Sequence, residues 1–280
     1  MNRDFFPWTP RALFLRVARS RAFFRVRVSV LSAILVGVVV WGWRDVRSRR
    51  ERNAWTRPLL VAVVLVRLEP IDEQPVAAFR VRIGELERRL DQERRRYRSD
   101  AARPFALTFV GPVDSEEGPP QAASDGWLDA AKESWNLSRW AARIDRLAGL
   151  HAGAYDSRVY VAARPPASED RAGVEGESEQ GGWLGAVEVE LDGSMVDLAL
   201  FVAAHELFHT LGATDKYDAN GRTLVPAGLA EPYRVPLWPQ RFAEVMARNR
   251  PLAAGLERPP ETLDELAVGE VTAIEIGWKH

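Results

Sequence analysis

Residues 195–217 read MVDLALFVAAHELFHTLGATDKY, and this stretch predicts the centre of the fold. Positions 195–211 are apolar on nearly every side, which is typical of a helix buried at the middle of a core. Within this helix, His205 and His209 flank Glu206 in an H-E-x-x-H pattern. Positions i and i+4 lie one above the other on a helix face, so both imidazoles can reach one metal ion.

The residues after this helix supply a third candidate ligand. Gly212 readily takes the left-handed conformation that ends a helix, and a chain that turns back there would bring the Asp215 carboxylate to the same ion. Two His and one further ligand leave a fourth position on zinc for water. Glu206 is set round the helix from the two His, where it can take a proton from that water. The spacing therefore predicts Zn²⁺ held by His205, His209 and Asp215, with Glu206 as the catalytic base.

Each part of this site has an alternative. Histidines on a buried helix can be accommodated in a core without binding metal, although an H-E-x-x-H motif arises by chance in fewer than roughly one per cent of such chains. Glu231 is a rival third ligand, because it follows His209 by 22 residues, near the distance at which thermolysin-like enzymes place a glutamate ligand. That glutamate normally sits on a second helix, whereas Gly and Pro flank Glu231 in the stretch GLAEP, so Asp215 is preferred.

The motif H-E-x-x-H-x-x-G-x-x-D at residues 205–215 resembles that of the metzincin zinc peptidases, in the variant where Asp replaces a third His. Metzincins also carry a Met-turn beneath the metal, and Met246 is the only methionine that follows Asp215. By motif the resemblance covers about 195–250, and by pattern about 58–280. It implies an α+β fold: a two-lobed domain with a twisted mixed sheet above the cleft, helices on either side and a central active-site helix.

The charge is distributed unevenly along the 280 residues. Residues 1–57 contain 13 Arg and 3 acidic residues, whereas the remainder contains 25 basic and 36 acidic residues. A basic N-terminal segment followed by an acidic remainder indicates contact with an anionic membrane surface and not with nucleic acid. The chain has no cysteine, which excludes disulfides and thiolate zinc ligands.

Residues 28–43 (VSVLSAILVGVVVWGW) predict a membrane anchor. They contain no charge and end in Trp41 and Trp43, as an interfacial aromatic belt would. Sixteen residues is short for a span, but the flanking arginines can extend it by reaching along their stems to the interface. No small-x-small cleavage site follows, which argues against a signal peptide. The dense arginines on both sides argue against a buried core helix.

The predicted organisation is a basic tail (1–27), a transmembrane anchor (28–43), a basic juxtamembrane linker (44–57) and a zinc-peptidase-like domain (58–280). The two flanks of the anchor are almost equally basic, so the positive-inside rule gives only a slight preference for a cytoplasmic N-terminus. The expected location of the protein is therefore the membrane, as a single-pass protein with an extracytoplasmic catalytic domain.

The first part of the domain predicts an alternation of strands and helices. The strands are expected at 59–68, 104–110, 157–163 and 183–191, and the helices at 76–98, about 125–147 and 195–211. The resemblance places the strand before the active-site helix at the sheet edge, where it would pair with extended substrate. We extend that role to residues 183–191. The acidic, Gly/Pro-rich segment 164–182 is expected to be a mobile insertion, or a lid over that edge.

The last part of the chain predicts an irregular lower lobe. Residues 216–240 are rich in Gly and Pro, a short helix is expected over 242–246, and a closing helix over 261–278. Residues 218–221 (DANG) offer oxygen ligands for Ca²⁺, although Asn-Gly also makes a turn unaided.

The function that the sequence predicts is a membrane-anchored zinc endopeptidase acting on a protein or peptide substrate. Met246 would form an apolar floor under the imidazoles, and Tyr217 and Tyr233 are both candidate oxyanion donors. Two alternatives remain: a membrane-tethered binding or scaffold protein with a structural zinc site, and a zinc hydrolase of non-peptide amides. Retention of Glu206 favours catalysis, since a structural site needs no base.

Overall fold

The computed structural model describes residues 11–100, 103–120, 127–166, 175–178 and 182–279. The chain forms two compact units, residues 1–50 and 51–280. The described residues of the first unit belong to one long helix, α1 (Arg11–Arg52), which extends into the predicted linker (44–57) and ends at Arg52. Its segment Phe23–Arg44 has a mean hydropathy of 2.1 and is long and apolar enough to cross a membrane, by length and composition alone. A membrane anchor at this segment and its orientation both stay predictions.

The second unit contains a five-stranded sheet. Its elements in chain order are β1 (Leu59–Arg67), α2 (Glu73–Arg95), β2 (Phe105–Asp114), α3 (Trp127–Ala148), β3 (Ser157–Arg164), β4 (Glu175–Ser178), β5 (Leu184–Glu190) and α4 (Val196–Thr210). The strand order is β2-β1-β3-β5-β4, with β4 alone antiparallel to its neighbour. The prediction of a mixed sheet with helices is confirmed at this level.

The continuous apolar run of β1 suits its place between β2 and β3, because a strand between two parallel neighbours is buried on both faces. Val63 lies opposite Phe109 of β2 and Val159 of β3. Alternate residues of β1 face opposite sides. Val61, Val63 and Leu65 pack with α2 and α4, whereas the residues between them pack with α3. The sheet is therefore covered by helices on both faces.

The predicted edge position of residues 183–191 is wrong. Strand β4 lies outside β5 and pairs with it, from Glu175 opposite Glu188 to Ser178 opposite Gly185. The sequence missed β4 because its acidic, glycine-rich composition predicts a loop, whereas a strand at an edge needs only main-chain hydrogen bonds to its neighbour. Most of the predicted lid, residues 167–174 and 179–181, lies outside the described residues.

Residues 212–279, called the loop part below, follow the sheet part (residues 59–211). The loop part holds two small sheets and one short helix: β6 (Ala243–Glu244) beside β9 (Leu266–Ala267), β7 (Arg250–Ala253) beside β8 (Leu256–Arg258), and α5 (Glu270–Glu275). The expected irregular course of residues 216–240 is confirmed, with one isolated bridge between Tyr217 and Thr223.

Two predicted helices of the loop part are wrong. Residues 242–246 form β6 and a turn, because Ala243 and Glu244 pair with Leu266 and Ala267. That same pairing prevents a helix over 261–278, of which only Glu270–Glu275 is α-helical. Gly269 precedes this short helix, and a Cβ there would lie 2.9 Å from the Glu244 Cγ. Long-range strand pairing therefore overrides the helical spacing of apolar residues in this segment.

Candidate metal centre

Helix α4 is buried against the sheet because β5 carries a glycine at the contact. A Cβ at Gly185 would lie 3.0 Å from the Glu206 Cβ and 3.1 Å from the Glu206 carbonyl oxygen. Any larger residue would push the helix away from the strand. The close approach leaves Glu206 only 3% exposed, while His205 and His209 are buried beside it. The sheet therefore sets the position of the helix that carries His205, Glu206 and His209.

The three predicted ligands come together. His205 Nε2 and His209 Nε2 lie 3.0 Å apart, and Asp215 Oδ1 lies 3.3 Å from the first and 3.2 Å from the second. Zinc bonds of about 2.0–2.1 Å at tetrahedral angles place ligand atoms about 3.3 Å apart. These three distances therefore fit three corners of a tetrahedron around one zinc ion.

The hydrogen bonds of the two rings decide which nitrogen faces the cluster. His205 Nδ1 lies 2.9 Å from the carbonyl oxygen of Val245, and His209 Nδ1 lies 2.9 Å from that of Ala213. A carbonyl oxygen only accepts, so each Nδ1 carries the proton and donates it. In the neutral imidazoles both Nε2 atoms then present lone pairs toward each other and toward the Asp215 carboxylate. Three electron-pair donors at such distances repel unless a cation, either a metal ion or a proton, lies among them.

The end of α4 explains how Asp215 reaches this position. The helix stops at Thr210, and Gly212 has the left-handed backbone angle that the sequence predicts, with φ of 99°. The amide of Ala213 donates to the carbonyl of Phe208 at 3.1 Å, which closes the helix end. The chain then turns back toward the histidines, and the Asp215 side chain remains 41% exposed. One side of the cluster is therefore open to solvent.

The electrostatics of the cluster follow from its geometry. Burial opposes ionisation of the Asp215 carboxyl, but hydrogen bonds from His205 and His209 outweigh burial and lower its pKa. Burial likewise opposes protonation of His205, yet the hydrogen bond to Asp215 and the charge of Glu206 raise the pKa of its imidazole. Both shifts favour an ionised Asp215 carboxylate paired with a positively charged partner.

Met246 lies in a turn that contacts the site through its backbone. The turn spans residues 244–247, and Met246 is fully buried in the main core. Its neighbour Val245 accepts the hydrogen bond from His205, and its own carbonyl accepts from the amide of Lys216 at 2.8 Å. The turn is thus bonded to the first ligand and to the residue after the third. An apolar floor formed by the Met246 side chain stays a prediction.

Glu244 holds this turn in place. One carboxylate oxygen accepts from the amide of Met246 at 2.6 Å and the other from the amide of Gly269 at 3.1 Å. Complete burial raises the pKa of the Glu244 carboxyl despite these hydrogen bonds. The sequence gives no signal for this role, because the partners of Glu244 depend on how the loop part folds.

Glu231, the rival ligand, is engaged elsewhere. Its carboxylate binds Arg241, with 2.9 Å from the Arg241 Nε to Oε1, and this ion pair lowers the Glu231 pKa. Among the residues that the structure describes, the group able to hold a metal comprises His205, His209 and Asp215, without Glu231.

The remaining candidate residues differ in their surroundings, and Tyr217 contacts two of the three candidate ligands. The Tyr217 ring stacks at 6.2 Å on His205, and its hydroxyl is hydrogen-bonded to Asp215; burial raises the pKa of that hydroxyl. Tyr233 is 82% exposed. Asp218 closes a turn by accepting from the amides of Asn220 and Arg222, at 2.9 and 3.0 Å, and belongs to no metal-binding group of the described residues. Calcium binding stays a prediction without structural support.

No protein-family model matches the chain, and no curated protein matches it. The residues of the site and their geometry are therefore the basis on which a function can be proposed.

Proposed function

We propose that the protein is a membrane-anchored, zinc-dependent endopeptidase of the metzincin type. The observation that carries this proposal is the meeting of three potential ligand atoms, His205 Nε2, His209 Nε2 and Asp215 Oδ1, at tetrahedral-edge distances beside the end of one buried helix. Among the described residues no fourth candidate ligand joins them. An open fourth position is the arrangement of a catalytic zinc, whereas a structural zinc has four protein ligands.

The chemistry divides between the metal and the chain. A zinc ion held by these three residues would polarise the scissile carbonyl and acidify its bound water. Glu206 is adjacent to His205, and its carboxylate would accept the water proton and return it to the nitrogen of the leaving amine. The Nδ1 hydrogen bonds of His205 and His209 fix both rings with Nε2 directed at the metal.

Other features support the metzincin resemblance and a peptide substrate. The mixed sheet, its helices on both faces and the buried Met246 turn beside His205 agree with the fold that the resemblance implies. We now assign the role of pairing with extended substrate to β4, since main-chain pairing at a sheet edge is a general way to hold a peptide. The segment Phe23–Arg44 would anchor the enzyme in the membrane.

The test is the metal content and peptidase activity of the full chain, purified in detergent. We expect about one zinc per chain in the wild type, whereas Asp215→Ala, left with two histidine ligands, should bind zinc much more weakly and lose most of it during purification. Glu206→Gln should keep the zinc but lose about 10²- to 10⁴-fold in the rate of peptide cleavage, because the variant lacks its general base.

Each alternative outcome points to a different function. A folded wild-type chain without zinc would overturn the proposal and favour a binding or scaffold protein. Zinc retained by Asp215→Ala with wild-type affinity would show that Asp215 is not the third ligand. Hydrolysis of small amides, with no cleavage of peptides, would favour the non-peptide amidase.

A further inference from the structure

The three ligands differ in how the chain holds them. His205 and His209 lie on α4, whose backbone hydrogen bonds fix their spacing. Asp215 lies five residues beyond the end of that helix, in a segment without regular structure, and its side chain is 41% exposed. A helix cannot position a ligand that lies outside it, so another part of the molecule must hold the Asp215 segment.

Glu275 of α5 contacts both residues that flank Asp215. Its Oε2 accepts from the backbone amide of Thr214 at 3.0 Å, and its Oε1 accepts from the Thr214 hydroxyl at 2.8 Å. The ammonium group of Lys216 donates to both oxygens, at 2.9 and 2.8 Å. Lys216 is only 3% exposed, and its ammonium group also donates to the Thr214 carbonyl at 2.8 Å. One carboxylate thus contacts the residue on each side of the third candidate ligand: the backbone amide and hydroxyl of Thr214, and the side-chain ammonium group of Lys216.

The helix that carries Glu275 is itself attached to α4 through the core. Trp278, three residues after Glu275, is 1% exposed. Its ring packs at 5.7 Å against that of Phe208, the neighbour of His209. The position of Glu275 is therefore set relative to the same helix that positions the two histidines.

We propose that Glu275 is a positioning residue for the third metal ligand, holding Asp215 at the distance from the two histidines that binding of zinc requires. The inference rests on the proposed zinc site and adds to it the residue that closes that site. Groups that orient metal ligands typically change metal affinity about 10- to 100-fold when they are mutated. The terminal segment of the chain thus becomes part of the metal centre without contacting the metal.

The experiment measures zinc affinity of the full chain in detergent, by competition with a chelator. Glu275→Gln keeps the shape of the side chain but removes its charge and one of its two acceptor atoms. We expect its zinc affinity to fall about 10- to 100-fold. The matched control is Glu270→Gln, because Glu270 lies on the same short helix, is similarly exposed and pairs with Lys279. Its zinc affinity should stay within about twofold of the wild type.

The same substitution in an Asp215→Ala background separates positioning from general destabilisation. If Glu275 acts through Asp215, then Glu275→Gln should lower the residual zinc affinity of Asp215→Ala by less than about twofold. A loss of equal size in both backgrounds would overturn the proposal, as would a Glu275→Gln variant with wild-type affinity. Wild-type protein that binds no zinc would overturn the proposed function and this inference with it. If the wild type binds zinc and Glu275→Gln binds it with the same affinity, the inference alone is overturned.

A second variant covers the case in which Glu275→Gln does not fold. Thr214→Ala removes a hydroxyl from an exposed residue and leaves the core intact. It should lower zinc affinity by a few-fold, since the backbone amide still bonds to Glu275. Wild-type affinity in both Thr214→Ala and a Lys216→Met variant, each folded, would overturn the proposal.

Discussion

The sheet part and the loop part of the domain are stabilised by different kinds of interaction. In the sheet part, strands β1, β2, β3 and β5 satisfy one another's backbone groups over seven or more paired positions, and helices cover both faces. In the loop part the two small sheets contribute only two or three pairings each. There, carboxylates accept the hydrogen bonds of backbone amides that have no strand partner, as Glu244 and Glu275 do.

This difference coincides with a division of the proposed metal centre. His205, Glu206 and His209 come from the sheet part, where a buried helix fixes their positions. Asp215 comes from the loop part, and so does Val245, whose carbonyl orients His205. Substitutions in the sheet part should therefore mainly change the stability of the whole domain. Substitutions of acidic residues in the loop part should also change the geometry of the proposed metal site.

The largest effect should come from a cavity in the sheet part. Leu86 of α2 is 1% exposed in the main core, so Leu86→Ala should lower the free energy of unfolding by about 2–5 kcal/mol. Val81 lies on the same helix but is 72% exposed, and Val81→Ala should change stability by less than about 0.5 kcal/mol. Urea unfolding of the full chain measures both.

The zinc affinity of folded Leu86→Ala should equal that of the wild type. The cavity would lie at α2, whereas the backbone hydrogen bonds of α4 fix the spacing of the two histidines. A large loss of zinc affinity in this variant, measured under conditions where it is folded, would remove the proposed distinction between the two parts.

The sheet part could be predicted from the sequence more completely than the loop part. Helix α2 and strands β1, β3 and β5 were predicted within a few residues, because their hydrophobic periodicity is local and agrees with what the fold buries. The ligand cluster was predictable for a similar reason. His205 and His209 are related by the helix period, and Asp215 follows Gly212, a residue type that readily takes the left-handed conformation found at helix ends.

What the sequence could not reveal depends on contacts between distant residues. Residues 242–246 and 261–278 have apolar spacings that suit helices, but the pairing of β6 with β9 decides their structure. The roles of Glu244 and Glu275 are equally hidden, since the partners of Glu275 lie about 60 residues away along the chain. Strand β4 was hidden because an edge strand makes little demand on side-chain type.

The next largest loss of stability should come from a substitution of Glu244. In Glu244→Gln an amide NH₂ would face a backbone N–H, leaving a buried donor unsatisfied, so stability should fall by about 1–3 kcal/mol. The turn that orients His205 should shift as well. The matched control is Glu231→Gln, since Glu231 pairs with an exposed Arg241; it should cost no more than about 1 kcal/mol.

Nuclear magnetic resonance of ¹⁵N-labelled histidine tests the local effect, because the site contains its own internal standard. His205 Nδ1–H donates to Val245 in the Glu244 turn, whereas His209 Nδ1–H donates to Ala213 at the end of its own helix. Glu244→Gln should move the His205 signal and leave the His209 signal in place. Equal movement of both signals would mean that Glu244 supports the domain in general and not the turn beside His205.

The smallest expected effect is the pH dependence that distinguishes the two parts. Asp156, at the start of β3, is partly buried, but hydrogen bonds from Arg57 and from the amide of Leu60 outweigh burial and lower its pKa. Its contribution to stability is therefore present above the ordinary aspartate pKa of about 3.9 and is lost as the pH falls below it. Burial raises the pKa of Glu244, so its contribution is present below about 4.3 and declines as the pH rises.

The two carboxylates should thus respond to pH with opposite signs. Comparing urea unfolding of the wild type with Asp156→Asn, the difference in stability should shrink as the pH is lowered from 7 toward 3, from no more than about 1 kcal/mol, since Arg57 is exposed. For Glu244→Gln the difference should shrink as the pH is raised over the same range. Slopes of the same sign would show that the fold stabilises the charged form of Glu244, as it does the charged form of Asp156. Opposite slopes would mean that folding opposes ionisation of the Glu244 carboxyl group, which holds the turn beside His205, whereas folding favours ionisation of Asp156 beside the sheet.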